Sequence, residues 1–245
     1  MHYNLLFSGC SFTQGCELEG KAKDFKHRDT HRYSHVISER TNRAYENIAL
    51  SGASNNRITR TTIEWFESGN TCDLAIIQFT LVQRIEFISK LTGELSLFSQ
   101  YNFMEHKKND FYTVKKPIDF DDLKKSYTEY YTQIYNLNIG LNNFYKDLFL
   151  LEQYFEKKNI PYYFIKLSHI NHILNHKDVP WTSLCKTNYL DIPTINGDIL
   201  TMKYEGDDYT PDYSEDDPKY KFLNGIHPSE LGHQKIADYI IKHAL

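Results

Sequence analysis

Short apolar runs alternate with longer stretches of helical spacing along this chain. Tyr3 to Phe7, Glu46 to Leu50, Leu74 to Phe79 and Tyr162 to Leu167 read as strands, each too short for a helix and followed by polar or turn-forming residues. Ser34 to Thr41 and Asn56 to Phe66 read as helices, as does a long stretch from about Asp121 to Lys158, interrupted near Asn138 to Asn142. At the C-terminal end, Ile236, Ala237, Ile240, Ile241 and Ala244 recur at helical spacing over Gln234 to Ala244, so one face of that helix packs on a core. Strands alternating with helices predict a parallel sheet covered on both faces, an α/β three-layer αβα sandwich. Two stretches break the pattern. An insertion is expected at 85–120, as a hairpin or lid, and an irregular lip at 169–222, where the run Asp207 to Asp217 reads as a solvated loop.

A chain of 245 residues and 29.0 kDa fits one domain spanning 1–245, with ample material for a core. A formal net charge of -4 and a pI near 6.3 argue against a nucleic-acid partner, which needs a basic footprint. No apolar run approaches the ~18 residues that span a bilayer, so no membrane partner is expected. Leu6 to Cys10 lacks the basic leader and apolar length of a lipoprotein signal, and a cytoplasmic location is the expectation. The four cysteines, Cys10, Cys16, Cys72 and Cys185, show no paired metal spacing and read as free thiols; no metal or cofactor is expected. Nineteen tyrosines against two tryptophans suit either stacking on sugars or ordinary half-wet surfaces.

The two ends of the chain carry the candidate chemistry. After the first strand, Ser8-Gly9-Cys10-Ser11-Phe12-Thr13 sets a serine at the carboxyl end of a sheet, where open α/β folds build their sites. A serine there also caps a following helix well, and taken alone that reading is sufficient. Near the other end, Asn224-Gly225-Ile226-His227-Pro228-Ser229-Glu230 runs into the last helix. Pro228 restricts the backbone of His227 to extended geometry, which orients the imidazole just before a helix start.

Together these ends resemble the SGNH (GDSL-type) hydrolase family. Its first block, Gly-Asp-Ser-x, is read here as Gly9-Cys10-Ser11-Phe12, and its last, Asp-x-x-His, as Asn224-Gly225-Ile226-His227. The glycine of its second block has a candidate in Gly52, within Ser51 to Asn56. Its third block, Gly-x-Asn-Asp, is degenerate: the third strand ends in Gln78-Phe79-Thr80-Leu81. The resemblance covers essentially the whole chain. It implies a flavodoxin-like fold, Ser11 as nucleophile, His227 as its base, and an oxyanion hole of Ser11, Gly52 and Thr80.

Where the family has its triad aspartate, this chain has Asn224. An amide oxygen can still fix the imidazole tautomer but brings no charge to the imidazolium; in serine proteases the equivalent exchange costs about 10⁴ in rate. Two readings stay open: a Ser-His dyad oriented by Asn224, or a substitute acid such as Asp216 or Asp217. Asn55, Gln78 and Arg84 are further candidates near the oxyanion, against cap, surface or salt-bridge roles. Cys10 is expected to be a buried thiol, facing away from Ser11 if strand geometry persists. His169, His172 and His176 share helical spacing but lack a matching acid and read as surface residues; His233 reads as a helix residue or a support for the site.

The resemblance therefore implies a serine esterase acting on a small-molecule or glycan ester, an O-acetylated carbohydrate within the family's range. An acyltransferase would use the same blocks. The competing class is a non-catalytic SGNH-like module that binds a glycan or protein. The compact Gly-Cys-Ser-Phe-Thr start is also similar to short SGNH proteins of phage and surface-polysaccharide settings.

Overall fold

The computed structural model describes residues 1–20, 23–88, 95–98, 125, 129–167, 180–187, 191–200, 223–224 and 227–245. Four parallel strands form the central sheet: β1 (His2–Ser8), β2 (Tyr45–Asn47), β3 (Thr71–Phe79) and β6 (Tyr162–Lys166), in the order β2-β1-β3-β6. This is the doubly wound, flavodoxin-like arrangement, in which the chain leaves β1 for one neighbour and then crosses to the other. Leu5, Leu6 and Phe7 are all buried, as a strand covered on both faces requires.

Successive residues of β1 identify the covering helices. The Phe7 ring meets Tyr33 at the start of α3 (Tyr33–Thr41), whereas the Ser8 hydroxyl accepts from Thr62 of α4 (Asn55–Glu67) at 2.9 Å. Adjacent strand residues point to opposite faces, so α3 and α4 lie on opposite sides of the sheet. The long helix α5 (Leu137–Lys158) packs beside α4, and its Phe144 and Phe155 meet Phe79 of β3 and Phe164 of β6. The last helix, α6 (Glu230–Ala244), packs beside α3. The architecture is α/β, a parallel sheet between two pairs of helices.

Several boundaries differ from the sequence expectation, for physical reasons. The second strand stops at Asn47, although Ile48 and Leu50 N–H groups still bond the Phe7 and Gly9 carbonyls at 2.9 and 3.2 Å in an irregular continuation. No break falls at 138–142. The break falls at Asn136, whose side chain accepts the Ile139 N–H at 3.0 Å and caps α5. Gly140 instead permits close approach, since a Cβ there would press on Val82 and Tyr135. The last helix starts at Glu230, four residues before Gln234, because Ser229 accepts the Gly232 N–H at 3.2 Å.

Two short helices add to the expected set: α1 (Ser11–Gln14) and α2 (Phe25–His31). In the stretch read as an insertion, β4 (Ile85–Ile88) pairs antiparallel with β5 (Leu95–Phe98). Leu223–Asn224 (β7) and His227–Pro228 (β8) form a two-residue ladder with Asn224 opposite His227. Most of the 169–222 stretch, the His169, His172 and His176 group, and Asp216 and Asp217 lie outside the described residues. Among the described residues, no helix is long and apolar enough to cross a membrane.

Candidate functional site

The chain order reverses between β1 and β3, and the candidate residues gather at the carboxyl ends of those two strands. Gly9 follows β1 directly. A Cβ there would collide with the side chains of Thr13 and Gln78, so only glycine fits. Cys10 is extended, and Ser11 opens α1, whose four residues are closed by Gly15 at φ 85 with its N–H on the Ser11 carbonyl.

A buried polar bracket holds this turn from below. Gln78 Oε1 accepts from Thr13 Oγ1 at 2.8 Å and from the Cys10 N–H at 3.4 Å, and its Nε2 donates to the Phe79 carbonyl at 2.8 Å. Thr13 Oγ1 in turn lies 2.7 Å from the Tyr33 hydroxyl. Gln78 is therefore neither a surface residue nor an oxyanion donor; it fixes the turn that carries Ser11. Asn55 is likewise committed, clamping Thr80 through both its N–H, at 2.8 Å, and its carbonyl, at 3.3 Å. The helix cap of α4 is Ser54, not Asn55.

The side chains of Ser11 and Cys10 do meet. The strand has ended by Ser8, so strict alternation no longer applies, and Ser11 Oγ donates to Cys10 Sγ at 3.8 Å. Ser11 is 3% exposed and Cys10 is buried. Burial opposes ionising the Cys10 thiol, but the Arg84 guanidinium, the Phe12 N–H and the Thr80 and Gln78 side chains outweigh it and hold the thiol below its ordinary value. The Thr80 hydroxyl is buried beside that sulfur. Arg84 also donates to the Ala53 carbonyl at 3.4 Å, next to Gly52. Gly52 itself sits at φ 76, in a loop tied to α1 by the Ser51 N–H on Gln14 Oε1 at 2.7 Å.

His227 arrives from the other end of the chain. Its ring packs edge-on against Phe12, the neighbour of Ser11, with centroids 5.3 Å apart. The side chain is 12% exposed, and Nδ1 lies 3.2 Å from Glu17 Oε1. That contact is within ion-pair range but bent away from hydrogen-bond geometry. Among the described residues there is no direct hydrogen bond between Ser11 and His227.

Glu17 escaped the sequence reading. It lies six residues after Ser11 with φ 72, and this left-handed turn is not encoded in any periodicity. His233, one turn into α6, is buried; its Nδ1 accepts the Tyr33 N–H at 3.1 Å. Burial, with the His227 and Arg32 charges, pushes its pKa down to about 3, so it stays neutral and acts as packing.

No protein family's sequence profile matches this chain, and no curated protein does. Among solved structures, a carbohydrate esterase whose active site displays divergent catalytic and non-catalytic binding functions is similar to it. The TM-score is 0.47 at 12% identity, covering 98% of this chain and 67% of that one. So distant a likeness carries no activity over.

Proposed function

We propose that this chain is a serine esterase of SGNH type that cleaves small acyl esters, with O-acetylated carbohydrates as its substrate class. The observation that carries this reading is the position of His227, packed on Phe12 beside Ser11 with its Nδ1 toward the Glu17 carboxylate. Nδ1 toward an acid leaves Nε2 for the serine proton, the order of contacts that a Ser-His-acid relay needs.

Ser11 Oγ first turns from Cys10 toward His227. It attacks the ester carbonyl as its proton passes to Nε2, and Glu17 stabilises the imidazolium. The developing oxyanion meets the Ser11 and Gly52 N–H groups and the Thr80 hydroxyl; each such donor is worth roughly 10²–10³ in rate. Collapse expels the alcohol, which takes the proton from Nε2. Water then attacks the acyl carbonyl as one of its protons passes to Nε2; collapse breaks the bond to Ser11 Oγ, which takes that proton back from Nε2 as the acid leaves. Asn224 pairs with His227 in the β7–β8 ladder, and in this scheme that backbone pairing fixes the strand that carries the imidazole.

One observation favours the non-catalytic alternative. Ser11 is nearly buried and its hydroxyl donates to sulfur, so a binding module could keep the same turn purely for structure. Acetate release from p-nitrophenyl acetate and from acetylated monosaccharides separates the two. The esterase reading expects Ser11→Ala to fall to the uncatalysed background with an unchanged circular dichroism spectrum. Equal turnover in the two proteins would leave the binding module as the function.

A further inference from the structure

Helix α2 (Phe25–His31) has no buried residue, yet it is held to a segment from the far end of the chain. His27 Nε2 lies 2.7 Å from Glu230 Oε1, a contact that spans 203 positions. One helical turn after His27 comes His31, and the two imidazoles stack with centroids 3.9 Å apart and planes 22° from parallel. One ligand atom from each of His27, His31 and Glu230 falls within 4.8 Å of the others. Among the described residues, no other group of three histidines, cysteines or acids does this.

The hydrogen bonds prepare these rings for a cation. His31 Nδ1 sits 2.8 Å from the His27 backbone carbonyl. A carbonyl can only accept, so Nδ1 carries the proton and Nε2 keeps its lone pair. An imidazole whose far nitrogen donates to a carbonyl is the usual arrangement of a metal-bound histidine, with tautomer and ring direction already set. The other two groups share one proton between His27 Nε2 and Glu230 Oε1, and a metal ion entering between them displaces it. The stacked rings hold their in-plane lone pairs side by side, so His27 must turn out of the stack to reach bonds of about 2 Å; with side chains 35% and 50% exposed, His27 and Glu230 have the room to turn.

We propose that His27, His31 and Glu230 form a site for a divalent transition metal of the zinc class, clamping α2 to the first turn of α6. Two imidazoles and one carboxylate suit zinc and its neighbours, whereas calcium and magnesium demand oxygen ligands. The ion would fasten an otherwise weakly anchored helix to the element that begins three residues after His227. This site is independent of the esterase reading.

The test is calorimetric titration of the chelator-stripped full chain with Zn²⁺, and with Mg²⁺ in parallel, followed by amide exchange over residues 25–31. The expected result is one zinc per chain, no magnesium binding, and slowed exchange in α2 on zinc addition. His31→Ala and Glu230→Gln should each weaken zinc at least tenfold; neither side chain belongs to the core, so both variants keep the wild-type circular dichroism spectrum. Absence of saturable zinc binding, zinc binding unchanged in both variants, or exchange in α2 unaffected by zinc would overturn the proposal.

Discussion

Glu17 reaches His227 because the chain turns left-handed twice in quick succession. Gly15 closes α1 at φ 85, and Glu17 follows at φ 72. On a residue with a Cβ that backbone is strained by roughly 1–2 kcal/mol, and such strain collects where side-chain position matters. A split between stability and activity should expose it. Glu17→Gly relieves the strain and should raise the melting temperature while lowering turnover of p-nitrophenyl acetate. Glu17→Gln keeps the shape without the charge and should lower kcat, by up to about 10⁴ for a full triad acid, with KM little changed. Glu17→Asp should recover part of the loss. Unchanged kcat in all three variants would remove Glu17 from the relay. At this scale the sequence was uneven. The turn that carries Gly9 and Ser11 was legible because a tight turn after a strand leaves a local mark, and the extended backbone of His227 because Pro228 does the same. Glu17, from one end of the chain, meets His227 from the other through loop conformation alone, and no local pattern announces it. Gln78 and Asn55 were misjudged because their amides are spent on buried backbone and hydroxyl partners that only the folded sheet brings near.

Elements were recovered best where an apolar period runs long. The strands β1, β3 and β6 and the helices α3, α4 and α6 follow their hydrophobic patterns to within a few residues. Helix α2 has no apolar face at all, so periodicity could not reveal it; its hydrogen bonds to Asp24 and Glu230 hold it instead. The pairing of α4 with α5 carries its own titration. Asp147 of α5 is buried and receives Asn56 Nδ2 on both oxygens, at 3.1 and 2.9 Å. Burial, set against the Lys146 charge and the Asn56 bond, raises its carboxyl to about 7. The folded protein therefore keeps a proton that the unfolded chain has already lost, from about pH 4 to about 7. This contribution is complete below that window and fades as pH rises through it, by at most ~1.4 kcal/mol per pH unit. Asp147→Asn removes the titration. Urea melts of both proteins should show the variant gaining on the wild type between pH 4 and 7 and no further change above. A difference constant with pH would mean that Asp147 is ionised in the folded state.

At the scale of the whole molecule, the strand order β2-β1-β3-β6 does most to make a site. The order reverses between β1 and β3, and in the proposed site the β1 turn would supply Ser11, the loop after β2 Gly52 and the end of β3 Thr80. The α/β class followed from alternating strands and helices alone. What the alternation could not supply was the return of the C-terminal segment, which brings His227 against Phe12 and His233 beneath Tyr33. In the proposed function Ser11 is a nucleophile activated by His227. Reaction of the full chain with a fluorophosphonate, read by intact mass and peptide mapping, reports on that nucleophile. A single adduct on Ser11, absent in Ser11→Ala and formed far more slowly in His227→Ala, is the predicted result. No adduct at all, or one that forms on another residue and persists in Ser11→Ala, would contradict it.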